Sequence, residues 1–366
     1  MSVTRSRALS IVSVALGATL LASCGGGGGG DEGSRTLMFA YVTSESSPHG
    51  QALSWWLDEV EARTGGEVTF ERYWDATLLK PEEMVNGLGD GRVDIAQIQP
   101  TSYGANEFVA TNVAEVPFIS SNFPAVSAAL ATMVEAPDSA IRKEWNGKGI
   151  EPLSWQITAG GTLSTTEPVD GVDDLAGLRL RSIGRPAEVL AAAEASPIQL
   201  AAGDIYGSID RGLIDGVFGV PFSFAESLKF PEVASHYTAT GTGVSTANAL
   251  AMSVDGWESL TEEQRMVMLE VSAEMPAKQA EIEPTFNDAS CAAIQESGGT
   301  TSVFSDEEMA ELADLAGGDI EAGWVADAEK AGVDGKALIA EYREAVGVAE
   351  EQFPDFELPE AACAAG

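Results

Sequence analysis

The residues best able to bind a small molecule here are two arginines, because cations are scarce in this acidic chain. Residues 173–181 read DDLAGLRLR, a turn followed by an alternating strand in which Leu178 and Leu180 face one way and Arg179 and Arg181 the other. A guanidinium at the end of a strand that opens on a cleft could grip a carboxylate through two parallel hydrogen bonds. Alternation does not choose between Arg179 and Arg181, and both could instead pair with surface acids.

Catalytic motifs are absent from the sequence. It contains no G-x-S-x-G, no H-E-x-x-H and no Walker loop, and its only histidines are His49 and His236. Acid–base chemistry would fall to carboxylates, and with 57 acidic residues pairs of them arise by chance. We therefore expect no enzyme, no cofactor and no metal site.

The composition is that of a globular protein, with 45% hydrophobic and 21% charged residues. A chain of 366 residues usually contains more than one hydrophobic core, so two lobes are expected. Acidic residues outnumber basic ones 57 to 20, giving a formal net charge of -37. This charge argues against a nucleic-acid partner, whose phosphates need clustered Lys and Arg.

The first residues predict a secreted lipoprotein. Two arginines precede an apolar stretch at residues 8–21, which is too short for a comfortable membrane span. Residues 21–24 (LASC) resemble a bacterial lipobox, which implies removal of a signal peptide at 1–23 and acylation of Cys24. Six glycines follow, so residues 24–35 are expected to form a flexible tether. The mature chain is thus expected outside the cytoplasm, anchored to the cell membrane by lipid.

Two further cysteines, Cys291 and Cys363, stand late in the chain. Outside the cytoplasm they could pair as a disulfide. The sequence does not show whether their Cα atoms come within bonding range, so the pairing stays open.

From residue 36 onward, strand and helix signals alternate, which predicts an α/β architecture. The expected strands are 36–42, 67–73, 93–98, 150–157, 178–183, 197–200, 216–220 and 244–253, and the expected helices are 48–63, 81–88, 125–135, 139–145, 186–194, 204–211, 306–331 and 335–349. A capping box at 261–264 starts a long helical region, which Pro276 and Pro284 are expected to kink or split.

Two segments, 81–94 and 204–215, echo each other. Each runs as a short helix, a glycine, two residues and an aspartate that can tie down the turn before the next strand. This repeated pattern indicates either two lobes of related design or only the common way in which α/β proteins connect a helix to the next strand.

Six collinear blocks between residues 61 and 233 resemble the receptors of tripartite ATP-independent periplasmic (TRAP) transporters, the DctP family. The blocks are 61–68 (EARTGGEV), 91–96 (GRVDIA), 116–118 (VPF), 174–181 (DLAGLRLR), 205–216 (IYGSIDRGLIDG) and 229–233 (KFPEV). In the same order, the first five are close to the family's motifs E-x-x-T-x-G-x-V, G-x-x-D-I-A, L-P-F, D-L-K-G-L-K-I-R and E-V-Y-x-A-L-Q-x-G-V-V-D-G. The sixth matches the segment that follows these motifs in the family.

The resemblance implies a two-lobed periplasmic-binding-protein fold of type II-like design, with a ligand cleft between the lobes and a long C-terminal helical region. Lobe I would comprise 36–157 with about 246–275, and lobe II 158–245 with about 276–349. Residues 350–366 are expected to be a flexible acidic tail.

The resemblance also assigns the site. The ligand-gripping arginine of the family falls on Arg181, and Gly219 stands where many members have Asn. A second arginine of the sialic acid receptors would fall near Gly161, so that ligand is not expected. Further residues near cleft-lining positions are Trp74, Trp155, Gln156, Phe218 and Phe222.

The function implied is a receptor that captures a small organic carboxylate and delivers it, unchanged, to the small and large permease subunits. With one identifiable arginine, a dicarboxylate, a monocarboxylate, a keto acid or a zwitterion such as ectoine all stay open. A ligand-sensing ectodomain that reports to a kinase, or a surface hydrolase with paired carboxylates, are the alternatives.

Overall fold

The computed structural model describes residues 34–103 and 107–366. The predicted signal peptide at 1–23, Cys24 and most of the tether therefore lie outside the described residues. Among the helices that are described, none combines the length and the apolar character needed to cross a bilayer.

The described chain alternates strands and helices. The strands are β1 (Arg35–Ala40), β2 (Val68–Tyr73), β3 (Ile95–Ile98), β4 (Ile150–Ala159), β5 (Thr162–Thr165), β6 (Arg179–Arg181), β7 (Ser196–Ile198), β8 (Gly216–Phe218), β9 (His236–Ala239), β10 (Val244–Ser253) and β11 (Thr300–Val303). The helices are α1 (Pro48–Arg63), α2 (Met84–Gly89), α3 (Phe123–Glu135), α4 (Ala140–Asn146), α5 (Arg185–Ala192), α6 (Ile205–Asp210), α7 (Val254–Ser259), α8 (Glu262–Glu296), α9 (Asp306–Lys330), α10 (Gly335–Glu350) and α11 (Pro359–Ala365).

Local signals fix the starts of the main helices. The Ser47 side chain caps α1 by accepting a hydrogen bond from the Gly50 N–H, and Pro48 occupies the first turn, where its missing N–H costs nothing. Thr261 and Gln264 form the predicted capping box at the start of α8.

The strands form two sheets of matching design. Lobe I has the order β2-β1-β3-β10-β4, and lobe II, read from the opposite edge, has β7-β6-β8-β5-β9-β11. In each sheet three parallel strands are followed by one antiparallel strand, β10 or β5, which comes in sequence directly after the chain has crossed from the other lobe. The two-lobed α/β prediction is confirmed.

The repeated turn seen in the sequence performs the same task in both lobes. Gly91 and Gly212 end their helices with φ of 68° and 65°, a left-handed conformation that suits glycine. The Asp94 carboxylate then accepts a hydrogen bond from Met38 N–H at 2.7 Å, and Asp215 accepts one from Arg179 N–H at 2.8 Å. Each aspartate thus ties its turn to the neighbouring parallel strand of its own sheet, β1 or β6.

Two strand connections join the lobes. β4 leads through Gly161 into β5, and β9 leads through residues 240–243 into β10. The Thr240 N–H donates to the Gly161 carbonyl at 2.8 Å, so the two connections are bonded to each other. At Gly243, where φ is 90°, a Cβ atom would lie 2.8 Å from the Ser120 carbonyl oxygen, so only glycine fits this close approach.

Helix α8 also runs between the lobes. Met268 near its start packs in the lobe I core, and Ile294 near its end packs in a lobe II core. Pro276 and Pro284, expected to kink or split this region, lie inside one continuous helix. Each proline removes one backbone N–H donor from the helix, and packing against both lobes stabilises the helix despite this loss.

The division of the C-terminal residues differs from the expected one. Residues 276–349 do not belong to lobe II as a whole, because Leu312 packs in lobe II whereas Trp324, later in α9, packs in lobe I. The Trp324 indole N–H donates to the Val109 carbonyl at 2.9 Å. Helix α10 follows on the lobe I side, where it packs against α3.

Residues 350–366 form an ordered segment rather than the expected flexible tail. Helix α11 buries Glu360, whose carboxylate accepts a hydrogen bond from the Thr162 hydroxyl at 2.6 Å, and burial raises the pKa of Glu360. Phe356 packs on Phe123 of lobe I with ring centroids 5.6 Å apart. The flexible tail was expected from the acidic composition of this segment. That composition does not show that the apolar residues between the acids pack against the lobes.

Cys291 of α8 and Cys363 of α11 are joined as a disulfide, with Cα atoms 5.6 Å apart. The bridge closes a loop of 72 residues and so restricts the unfolded chain.

We expect reduction of this bridge to lower the free energy of unfolding by about 2–4 kcal/mol. Urea unfolding of the mature chain with and without dithiothreitol measures this, and the Cys291→Ser/Cys363→Ser variant, which should ignore the reductant, is the control. An identical wild-type midpoint in both conditions would contradict the prediction.

Candidate functional site

The carboxyl ends of the parallel strands in the two lobes face each other. His49, which follows β1 at the start of α1, packs its ring on Phe224, which follows β8, with centroids 5.6 Å apart. Ligands of open α/β sheets bind outside the carboxyl ends of the strands. The space between these two edges is therefore the candidate binding cleft.

The two arginines of β6 have different surroundings. Arg179 is exposed and pairs with Asp215, whose pKa its hydrogen bond lowers. Arg181 is half-buried at the carboxyl end of the strand, where its Nε donates to the Leu200 carbonyl at 3.2 Å. Burial lowers the pKa of Arg181, and no carboxylate of the described residues lies within 4 Å of it. Arg181 thus has hydrogen-bonding capacity left for an anion, whereas the charge of Arg179 is already paired with Asp215.

Gln156 belongs to a hydrogen-bonded chain that supports the lobe I edge. Its amide accepts from Gln97 at 2.5 Å and donates to the His49 carbonyl at 3.0 Å. Tyr41, whose pKa burial raises to about 12, lies beside Gln97. These two bonds hold Gln156 against the start of α1.

Three of the expected cleft residues lie in the cores instead. Trp155 points to the other face of β4 from Gln156 and packs on Trp145, with centroids 5.8 Å apart. Phe218 is buried in the core of lobe II, and Phe222 packs on Tyr237. Strand alternation explains the first case, since neighbouring residues on a strand face opposite sides.

The remaining two expected residues lie at strand ends. Gly219 follows β8 with φ of 87°, and its N–H donates to the Thr162 carbonyl at 3.1 Å. Trp74 follows β2, packs edge-on against Phe39 and Tyr41, and borders a surface cavity of about 880 Å³ between α1 and α8.

A buried ionisable pair at the cleft was missed by the sequence reasoning. Glu115 ends a 3-10 turn of lobe I (Thr111–Glu115), and Arg185 begins α5 in lobe II. Burial raises the pKa of Glu115 to about 8, and the charge of Arg185 and a hydrogen bond from the Ala247 N–H oppose this rise. One feature of the sequence could have pointed to this pair: Arg185 is a cation that comes directly after the strand that carries Arg181.

Residues 39–319 match the profile of the bacterial extracellular solute-binding proteins, family 7. A solute-binding protein of Albidiferax ferrireducens is 29% identical over 220 residues, which are 59% of this chain and 64% of that protein. The 2,3-diketo-L-gulonate-binding periplasmic protein YiaO of Escherichia coli is 26% identical over 207 residues, 55% of this chain and 60% of the relative. The chain therefore spans about three fifths of the length of these curated relatives.

Solved structures share the fold. A TRAP solute-binding protein from Rhodoferax ferrireducens, in complex with copurified benzoate, superposes with a TM-score of 0.77 at 24% identity, over 87% of this chain and 100% of that one. One from Sulfitobacter sp., with bound β-D-galacturonate, gives a TM-score of 0.70 at 20% identity, over 85% of this chain and 100% of its own.

The raised pKa of Glu115 predicts how stability depends on pH. The folded chain holds this proton up to about pH 8, whereas an unfolded carboxyl releases it near 4.5. The stability due to this group is therefore complete below pH 4.5 and is lost as the pH rises through about 8.

We expect Glu115→Gln to remove that loss, which amounts to at most about 1.4 kcal/mol per pH unit. Urea unfolding of both proteins at several pH values between 5 and 8 tests this, with exposed Glu263→Gln as the control. Parallel wild-type and Glu115→Gln curves would show that Glu115 ionises normally.

Proposed function

The chain belongs to family 7 of the bacterial extracellular solute-binding proteins, and from this premise we propose that it is the receptor of a TRAP-type transporter. It captures a small organic carboxylate outside the cytoplasm and delivers it unchanged to the membrane permease. The observation that carries this proposal is the guanidinium of Arg181, half-buried at a strand end that faces the opposite lobe and without a carboxylate partner among the described residues.

The ligands of the relatives support the substrate class. Benzoate, galacturonate and 2,3-diketo-L-gulonate, named for three of them, share a carboxylate and little else. A planar guanidinium matches a carboxylate with two parallel hydrogen bonds, whatever the rest of the molecule is. One arginine can therefore serve a family with varied ligands.

Closure about the two strand connections supplies the mechanism. A ligand that touches both lobes stabilises the closed form by its greater affinity for that form. The contact between His49 and Phe224 already joins the lobes, and burial lowers the pKa of His49 to about 4, so at neutral pH its ring packs without a charge.

We expect Arg181→Gln to weaken ligand binding by about 2–5 kcal/mol, or roughly 30-fold and more, because it leaves the carboxylate unpaired. A thermal-shift screen of benzoate, glucuronate, galacturonate, orotate and succinate selects the ligand, and calorimetry then measures its affinity. Arg179→Gln, on the same strand but paired with Asp215 at the surface, is the matched control. Equal affinity in Arg181→Gln and Arg179→Gln would show that Arg181 does not bind the carboxylate of the ligand.

The lipid anchor is a separate part of the proposal. Cleavage at the lipobox would leave an acylated Cys24 followed by six glycines, which hold the receptor near the permease.

We expect the full-length chain, expressed in a bacterial host, to be recovered with membranes, and Cys24→Ser to be released or left uncleaved. Fractionation with metabolic palmitate labelling measures both effects, and Cys291→Ser/Cys363→Ser should keep the label. Palmitate on Cys24→Ser would contradict the assignment of the anchor.

A further inference from the structure

A cavity that shares no lining residue with the cleft edges lies between helix α8 and the C-terminal segment. Its volume is about 440 Å³, a size that accommodates a small organic molecule. Pro284 of α8 lies on one side, Phe123 at the start of α3 on another, and residues of the segment 352–359 close the cavity. This segment lies beyond the matched family segment, which ends at 319. One wall of the cavity is therefore built from the C-terminal extension.

The extension is fixed in place around this cavity. Phe356 packs on Phe123 with ring centroids 5.6 Å apart, and the Asn122 side-chain amide donates to the Phe353 carbonyl at 3.1 Å. Just beyond, the disulfide joins α11 to α8. The cavity is thus preformed, so a ligand does not have to order its walls on binding.

The charged groups around this cavity all have the same sign. Glu283 and Asp288 of α8 and Asp355 and Glu357 of the extension line it, and none of the described lining residues is Lys, Arg or His. Asp288, Asp355 and Glu357 are exposed at the rim, whereas Glu283 is only 9% exposed. The cavity is therefore suited to a cation and opposes the entry of an anion.

The rest of the lining is largely apolar and includes aromatic rings. Three phenylalanines, Phe123, Phe353 and Phe356, line the same space as the carboxylates. The face of an aromatic ring attracts a cation, and its apolar surface favours contact with a hydrocarbon group. Carboxylates and phenylalanines together suit a molecule with a positive group on an apolar body.

Glu283 is the buried group that such a molecule would neutralise. Burial raises the pKa of Glu283 to about 7, a hydrogen bond from the Ser223 hydroxyl opposes this rise, and no positive charge of the described residues contributes. The nearest buried titratable group is also an acid, because Glu283 and Glu360 border one small cavity and burial raises the pKa of Glu360 as well. Ionised Glu283 therefore costs free energy until a positive group pairs with it.

We propose that this cavity is a second binding site, which takes an organic cation with an aromatic or aliphatic body. The ammonium group of the ligand pairs with Glu283, and its body contacts the three phenylalanines. The site is separate from the carboxylate site at Arg181 and goes beyond the proposed receptor function. A neutral molecule of the same shape would fill the cavity but leave Glu283 without a partner.

The test compares amines with alcohols of the same carbon frame: 3-phenylpropylamine with 3-phenylpropanol, and cyclohexylmethylamine with cyclohexylmethanol. Calorimetry on the mature chain at pH 8 should show at least one amine bound about 30-fold more tightly than its alcohol. Glu283→Gln should abolish this preference by weakening the amine alone, and Ala280→Phe should block both molecules because it fills the cavity. Asp288→Asn, at the exposed rim, is the matched control and should weaken the amine less than about threefold. Arg181→Gln should change neither affinity.

The pH dependence gives a second readout that needs no substitution. Benzyltrimethylammonium, whose charge does not titrate, should bind more weakly as the pH falls below about 7, because Glu283 must lose its proton to pair with it. The loss is at most about tenfold per pH unit, and Glu283→Gln should remove this dependence. Where circular dichroism shows that Glu283→Gln is unfolded, the wild-type profile between pH 5 and 8 decides.

Four outcomes would overturn the inference. Equal affinity for each amine and its alcohol shows that the positive charge is not recognised, and unchanged amine binding in Glu283→Gln shows that Glu283 does not pair with it. A flat wild-type profile for benzyltrimethylammonium shows the same, and loss of amine binding in Arg181→Gln places the amine in the cleft. Each result leaves the receptor proposal intact, because that proposal is tested separately with organic acids.

Discussion

A positive charge held partly out of water, without a carboxylate to pair with, is the constraint on which this structure depends. The chain carries 57 acidic residues, so surface arginines such as Arg179 and Arg343 find carboxylates readily. Arg181 does not, because it lies half-buried at the carboxyl end of β6, where its Nε bonds to the Leu200 carbonyl. Geometry, and not a lack of acids, keeps this guanidinium group available for an anion.

The matched topology of the sheets is what turns that edge into a cleft wall. The strands on either side of the two crossovers pair with each other, β4 with β10 in lobe I and β5 with β9 in lobe II, so the two strand connections leave both sheets at neighbouring positions. The carboxyl ends of both sets of parallel strands then face each other. In the closure that we propose, a rotation about the connections, which are bonded to one another between Thr240 and Gly161, would change the gap between the edges and leave each core intact.

The sequence predicted regular elements well and three-dimensional neighbours poorly. Periodicity and caps located α1 and β10 with their observed bounds, because these signals are local. The short strands β5, β9 and β11 were missed, since each has four residues, which carry little periodicity. Trp155 and Gln156 were both assigned to the cleft, although alternation allows only one of them on a given face. Arg185 was overlooked because its significance comes from Glu115, distant in sequence.

The residues beyond the matched family segment, which ends at 319, add a further attachment between the lobes. Helix α10 packs on lobe I, and α11 is bonded to lobe II through the disulfide to α8 and through Glu360 to Thr162. Thr162 starts β5 directly after the strand connection, so the extension ties the two lobes together close to the place where the chain crosses between them.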